Sequence, residues 1–480
     1  MPISVHLLPL IFVIFFASLA HAQTEKILIP EMGNSADAII SPTEEKQTGE
    51  AVIRNIRRAG GIISDPILEA YINHLGYKLI AETQDGAQHF RFYMINDKQI
   101  NAFALPGGFI GVNYGLIMAA ESESELASVL AHEIAHVTQR HHARAYEVGD
   151  QQLPIVAALI AAMILGGGDS QLAEAAFATT AAGLAQSQIN FTRGNEKEAD
   201  RIGINMLANA GYSPSSMATF FDRMEKASRL YGPQAPEFLR THPVNTSRIS
   251  DAKSRAAQLP SPPLQIENDF HHTRARIRAL ANDNKNNAVT EFAKNLKNGN
   301  YQNKQAEQYG YALALIQAKK FNPAREIINS LLKKDPQRIA YLVTQAQLEA
   351  KSKNHQAANS IFTKALKVYP NNKVITYYYT KFLVEEEHFK KARQLLTEYM
   401  RDPVDNPELY RFLARSESAI GNKSAAHEAM GEYYFRSGQI HEAIQQIKLA
   451  IKTSNTDNFF RNSQLDAKIK LYQSQIIVTP

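Results

Sequence analysis

The chain of 480 residues contains no cysteine. That absence excludes thiol nucleophiles, thiolate metal sites and disulfides together, so any bound metal has to sit on His, Asp or Glu. Runs long enough to span a membrane are missing as well. Two apolar stretches stand out, Leu7–Leu19 and 155–165, "IVAALIAAMIL". Both fall short of a spanning helix, which needs roughly 20 residues. The first stretch runs into Ala20-His21-Ala22, a small-x-small cleavage signature, and reads as a signal peptide over residues 1–22. It lacks the usual Lys or Arg ahead of the apolar run, and no cysteine follows to carry a lipid anchor. The expectation is an exported bacterial chain in the periplasm, beginning at Gln23. A core of this size needs no disulfide staples there.

Hydrophobic residues at 44% and charged residues at 21% are ordinary for a folded chain, and the length suits two or three domains. The charge is unevenly spread. Residues 1–250 hold 18 Lys+Arg against 25 Asp+Glu, and residues 251–480 hold 34 against 22. Such a split points to two modules with different surroundings. The basic half suits anionic partners or lipid headgroups, so peripheral membrane contact is one expectation. Nucleic acid is not expected for an exported chain.

The second half repeats. Pro336, Pro370 and Pro403 are almost evenly spaced, and Ala324, Ala358, Ala392 and Ala426 keep the same beat. Between them, apolar residues follow helical spacing with a polar break midway. Paired helices on a period of about 34, with Ala at the close contact and Pro at the end, make the tetratricopeptide pattern. Each pair buries its apolar face on its neighbours. Ala443 falls only half a period after Ala426, so the last unit is expected to be irregular or a cap. The proline-rich "AAQLPSPPLQIEND" (256–269) marks a boundary. The organisation expected is a signal peptide (1–22), a first domain (23–262), a helical linker (263–304) and a repeat array (305–480). The fold class is α+β, a mainly helical domain with a small β-sheet followed by an all-α solenoid.

In the first half, "FRFYMI", "INAFAL" and "GFIGVN" read as short strands broken by "ND" and "PGG". A helix then begins at "ESESEL", with Ser122 as cap and Glu125 placed for a reciprocal capping box. Further along, in "AHEIAHVTQRHH", His132 and His136 lie one turn apart, about 40° from each other around the axis, so both imidazoles can reach one ion. Glu133, rotated by about 100°, can hold a water in the open position of that ion. This is HExxH logic, with two imidazoles on Zn²⁺ and a carboxylate as general base. Two core histidines on a buried helix are the plain alternative, and a third ligand decides between them.

His142 has the spacing of HExxHxxGxxH, but Gln139 stands where that motif turns on Gly. Without the turn His142 points about 240° away from His136, leaving His141 and His142 as ordinary polar residues at the helix end. In "NEKEADRIGINMLANAG", Glu196 and Asp200 are four apart and share one side of a second helix. Glu198, about 200° from Glu196, faces elsewhere. Glu196 would complete a His₂Glu set with one position open, and Asp200 could accept a hydrogen bond from a ligating imidazole. Taken alone, the two are a common solvated charge pair.

"NAFALPGGFIGVNYGLI", "LAHEIAHVTQRH", "NEKEADRIG" and "RTHPVNTSRI" occur in that order. Together they resemble the gluzincin metalloproteases, the family of HtpX and the C-a-a-X prenyl proteases. With repeats behind a signal peptide, the resemblance is to the BepA-like periplasmic branch. It implies one zinc ion per chain on His132, His136 and Glu196, with Glu133 as general base. It implies that Asn101, Ala102, Phe103 and Ala104 form an exposed edge strand to which a substrate peptide adds. It further implies that His242 takes the fourth zinc position at rest, keeping the enzyme latent, and supports the oxyanion once displaced. Arg248 is expected as a second cation for that role.

By the same resemblance, substrates are unfolded or stalled outer-membrane β-barrel proteins. Partners are the outer-membrane assembly machinery, docked through the array, with chaperone activity alongside. The competing expectation is a non-proteolytic chaperone or adaptor with a structural zinc locked by His242. Glu133 argues against it, because a structural site needs no carboxylate beside its first histidine. Residues 155–165, which end in "GGGD", are expected to form a lid or a membrane-contacting segment.

Overall fold

The computed structural model describes residues 40–83, 89–146, 193–231, 236–260, 262, 268–281, 284–454 and 459–476. The proposed signal peptide and the apolar segment 155–165 lie outside the described residues. Among those described, no helix is long and apolar enough to cross a membrane.

Helix α1 (Pro42–Arg58) opens with a reciprocal capping box between Ser41 and Glu44, and α2 (Pro66–Ile80) is capped by the Asp65 side chain. Three strands follow, β1 (Arg91–Ile95), β2 (Ala102–Leu105) and β3 (Phe109–Asn113), in the order β1-β3-β2. They are the three segments that alternation and turn residues single out. β1 runs parallel to β3 with Arg91 opposite Phe109, and β2 runs antiparallel to it with Ala104 opposite Ile110. The "PGG" turn between β2 and β3 needs glycine, since Gly107 and Gly108 have φ of 77° and 82°.

An unpaired sheet edge invites another strand, and the two outer edges are treated differently here. The edge of β1 is covered. Asn73 donates to the Phe92 carbonyl at 3.1 Å, Tyr77 to the Phe90 carbonyl at 2.7 Å, and the Ile63 amide to the Met94 carbonyl at 2.9 Å. Among the described residues, no strand pairs with the outer edge of β2.

The remaining helices of this half are α3 (Tyr114–Ala119), α4 (Glu123–Thr138), α5 (His141–Tyr146), α6 (Arg193–Asn209), α7 (Ser215–Tyr231), α8 (Glu237–Thr241) and α9 (Thr246–Ala256). Helix α4 is buried along nearly its whole length. Leu126, Leu130 and Ile134 share one core with Leu75, Phe92, Ile110, Leu207 and Phe220. Ser122 caps it, accepting from the Glu125 amide at 3.2 Å. The Glu125 carboxylate does not return to Ser122, so the capping box is only half formed. It takes the Glu121 amide at 2.8 Å and pairs with Arg223 instead.

Helix α6 lies unusually close to α4 because residue 203 is glycine. A β-carbon there would sit 3.2 Å from both the His132 nitrogen and the Ala131 carbonyl carbon. Those are backbone atoms and cannot swing aside. Overpacking costs roughly 1–3 kcal/mol, against about 1 kcal/mol gained in helix propensity. Gly203→Ala is therefore expected to lower stability by up to roughly 2 kcal/mol in a denaturant titration. An unchanged midpoint would mean that the two helices are free to part.

The second half stacks in pairs. Helices α10 (Asn268–Leu280) and α11 (Lys285–Asn298) are followed by paired helices, from Lys304–Gln317 with Phe321–Lys334 to Ile440–Lys452 with Phe459–Ser474. Ala324, Ala358 and Ala392 are fully buried in the second helices of their pairs. Ala443 sits in the first helix of the last pair. The turns within the pairs keep the same beat, with positive φ at Lys319, Lys353, Glu387 and Gly421. The stretch expected as a linker continues the stack. Ala275, Ala279, Ala288 and Phe292 share one core with Tyr309 and Leu313. The array folds back on the first half, where Asp405 meets Tyr93 at 2.5 Å and Arg57 at 3.4 Å, and Arg276 grips Asp65.

Candidate metal centre

Four buried side chains converge on one point, His132 and His136 from α4, Glu196 from the first turn of α6, and His242 at the end of α8. His132 Nε2 lies 2.9 Å from His136 Nε2 and 3.3 Å from His242 Nδ1. Glu196 Oε1 lies 3.0 Å from His242 Nδ1 and 3.4 Å from His136 Nε2. A tetrahedral ion with ligand distances of roughly 2.0–2.1 Å needs donor-to-donor edges of about 3.3 Å. The donor set of three nitrogens and one carboxylate fits a small divalent metal.

Local sequence explains how each group arrives. His242 caps α8 through its amide, which donates to the Phe238 carbonyl at 2.8 Å. The Phe238 ring packs beside both His132 and His242, and its amide reaches the Ile100 carbonyl at 3.1 Å, tying α8 to the approach of β2. Asn245 then caps α9, accepting from the Arg248 amide at 3.0 Å.

The surrounding groups brace this arrangement. Asp200 Oδ1 is 2.9 Å from His132 Nδ1. Arg248, expected as a second cation for the oxyanion, lies against Asp200 and Glu196. It gives Nε and Nη2 to Asp200 at 2.7 Å each, and Nη1 to Glu196 at 2.7 Å and the Pro243 carbonyl at 2.9 Å. Those donors are spent on holding the site together. Glu133, 1% exposed, sits beside the cluster with Oε1 3.4 Å from His242 Nε2 and lacking a hydrogen-bond partner. The expected edge strand is in place as an outer strand, yet it is not openly exposed. Asn101, Ala102 and Ala104 are buried, and only Phe103 is half-buried.

Electrostatics supports a cation here. Among the described residues, the buried carboxylates of Glu133, Glu196 and Asp200 face the buried guanidinium of Arg248, and the other positive charge among them is a protonated His132. Burial pushes His132 down, but its hydrogen bonds to Asp200 and Glu196 outweigh it and lift it to about 9. Burial, aided by the charge of His132, drives His136 well below the ordinary histidine range. Burial would raise Glu196, yet His242, His132 and His136 hold it well below the usual carboxylate range. Burial raises Glu133 against the pull of His242 and His132.

Sequence reasoning missed one group. His141 is fully buried, with Nδ1 2.7 Å from His136 Nδ1 and Nε2 3.2 Å from Glu198 Oε2. The helical wheel sends His141 away from His136, but α4 ends at Thr138 and Arg140 turns the chain at φ 48°. A turn thus forms without the glycine it seemed to need. Its signal lies in Arg140, which is held by the Ile40 carbonyl and by Glu45, both at 3.2 Å. The side chain of His142 lies outside those described.

Comparison with known proteins places these residues in context. The chain matches peptidase family M48 over residues 66–256 and a tetratricopeptide repeat family over residues 349–416. It is 38% identical over 428 residues to a Vibrio cholerae protein named as a candidate β-barrel assembly-enhancing protease, covering 89% of this chain and 88% of that one. It is 33% identical over 424 residues to the β-barrel assembly-enhancing protease of Escherichia coli K12, covering 88% and 86%. A mitochondrial metalloendopeptidase of Schizosaccharomyces pombe is 32% identical over 179 residues, 37% of this chain and 50% of its own. All residues of the cluster fall within the M48 match.

Proposed function

The chain belongs to peptidase family M48, and from that premise we propose that it is a periplasmic zinc endopeptidase acting on misfolded or stalled outer-membrane β-barrel proteins. The observation that carries the chemistry is the convergence of His132, His136 and Glu196 directly beside the buried, unpartnered Oε1 of Glu133. His132, His136 and Glu196 would hold one zinc ion, which when bound would lower the pKa of a water to near 7 and polarise the scissile carbonyl. Glu133 takes the proton of the attacking water on Oε1 and returns it to the leaving amine. Asp200 fixes the ring of His132, and Arg248 positions Asp200 and Glu196 together.

His242 is the resting fourth ligand. Its Nδ1 lies 3.0 Å from Glu196 and its Nε2 3.4 Å from Glu133, so it stands where water must enter. Displaced, its N–H supports the oxyanion. The outer edge of β2, at Asn101, Ala102, Phe103 and Ala104, receives the substrate as an added strand. Backbone pairing suits misfolded β-chains and carries little side-chain selectivity. The repeat array docks the outer-membrane assembly machinery, in keeping with relatives named β-barrel assembly-enhancing proteases, with chaperone activity alongside cleavage.

The test is cleavage of an unfolded outer-membrane β-barrel protein by wild type and His242→Ala, each zinc-loaded and chelator-stripped. If the open form is a tenth of the population or less, removing the gate should speed cleavage roughly tenfold or more. Stripping should end cleavage, and added zinc should restore it. Equal or slower cleavage by zinc-loaded His242→Ala overturns the reading of His242 as chiefly a gate, its oxyanion support then outweighing any latency, and cleavage that survives stripping sinks the metal.

A further inference from the structure

His136 faces the cluster through Nε2, which leaves Nδ1 on the far side of its ring. That nitrogen is 2.7 Å from Nδ1 of His141, and Nε2 of His141 is 3.2 Å from Oε2 of Glu198. Arg144 holds the same carboxylate oxygen at 3.1 Å. The line from carboxylate through imidazole to ligand starts at the half-exposed Glu198 and ends at the fully buried His136.

We propose that His141, backed by Glu198, is a positioning residue that fixes the tautomer and ring orientation of the metal ligand His136. The inference rests on the zinc assignment above. A ligating nitrogen must present its lone pair to the ion, so the proton of His136 belongs on Nδ1. There it donates to Nδ1 of His141. His141 accepts only with its own proton on Nε2, and that proton is donated to Glu198. The carboxylate therefore selects both tautomers in turn.

His132 has the same support in a shorter form, from Asp200 directly. Both α4 ligands are thus backed by a carboxylate of α6, one by contact and one through an interposed ring. Two features keep the longer line in register, the φ 48° turn at Arg140 and the burial of His141 away from competing water.

Groups behind metal-ligating histidines typically carry 10–100-fold in metal affinity. The experiment measures zinc affinity of the full chain by competition with a small chelator, together with the melting temperature of the metal-free form. His141→Phe keeps a ring but has no acceptor, and should weaken zinc binding roughly 10–100-fold. His141→Asn can place its amide oxygen where Nδ1 stood, and should stay within a few-fold of wild type. Glu198→Ala should weaken binding, and adding it to His141→Phe should cost nothing more, because it acts through His141.

Zinc affinity of His141→Phe within twofold of wild type overturns the proposal. So does equal loss in the Phe and Asn forms, which would mean that the site tolerates only histidine for packing. If His141→Phe does not fold, Glu198→Ala decides, a loss of affinity supporting the line and no loss overturning it. A wild-type chain that binds no zinc overturns the metal assignment instead, a result distinct from wild type and His141→Phe binding it equally well.

Discussion

Glu133→Gln should leave zinc content unchanged and reduce cleavage by roughly 10²–10⁴-fold, the range over which a general base contributes. The substitution is nearly isosteric and touches no ligand atom, since the proposed donors to the ion are His132, His136, Glu196 and His242. What it removes is the ability of Oε1 to take a proton. It also bears on stability. Burial raises the Glu133 carboxyl, and an acid raised in the folded state costs stability at any pH above its folded pKa. That cost disappears as pH falls through the folded value toward the unfolded one. In the zinc-stripped chain at neutral pH, Glu133→Gln is therefore expected to melt no lower than wild type. The paired readout is kcat/KM on an unfolded β-barrel substrate and the metal-free melting temperature. Activity retained within tenfold would take the base role from Glu133. A lower melting temperature would show that the carboxylate is a structural group.

Much of this site is legible in the sequence because it depends on local rules. The spacing of His132 and His136 fixes their common face on any helix, and Glu196 with Asp200 follows the same rule on α6. The strands follow alternation, and the array follows its period. What escapes is set by turns and by distant partners. Arg140 makes its turn as a non-glycine at positive φ, as do Lys319, Lys353 and Glu387 between paired helices. Residue preference does not mark such positions, because tertiary contacts and repeat packing impose them. His141 was misjudged for that reason. The carboxylate partner of Arg248 could not be read from spacing either, as Asp200 is 48 residues away in the chain. A cation beside a reactive centre suggests chemistry, and only the fold reveals that its donors are already engaged.

Distance in sequence hides the strongest link between the two halves altogether. Asp65 and Arg276 are 211 residues apart, yet Arg276 gives Nε to Oδ1 of Asp65 at 3.0 Å and Nη2 to Oδ2 at 2.6 Å. The same guanidinium reaches the hydroxyls of Tyr309 at 2.8 Å and Tyr378 at 3.0 Å, on two further helices of the array. Asp65 meanwhile caps α2 through the amides of Ile67 and Leu68. Arg276→Met should destabilise the chain by about 3–5 kcal/mol, because it strands a buried carboxylate rather than merely deleting a contact. Asp65→Leu strands the cation and loses the cap as well, so its cost should be at least as large. Combining the two removes both charges, and the double variant should recover a large part of the loss, since a buried pair replaced by apolar groups is often near neutral. Denaturant titration of the three variants measures the coupling. Zinc affinity should not change in Arg276→Met, because neither residue touches the metal cluster. A loss below about 1 kcal/mol would place this contact with exposed ion pairs. The array would then be held to the catalytic half chiefly by Asp405 with Tyr93, Arg57 and Arg91, and by Arg54 with Gln475.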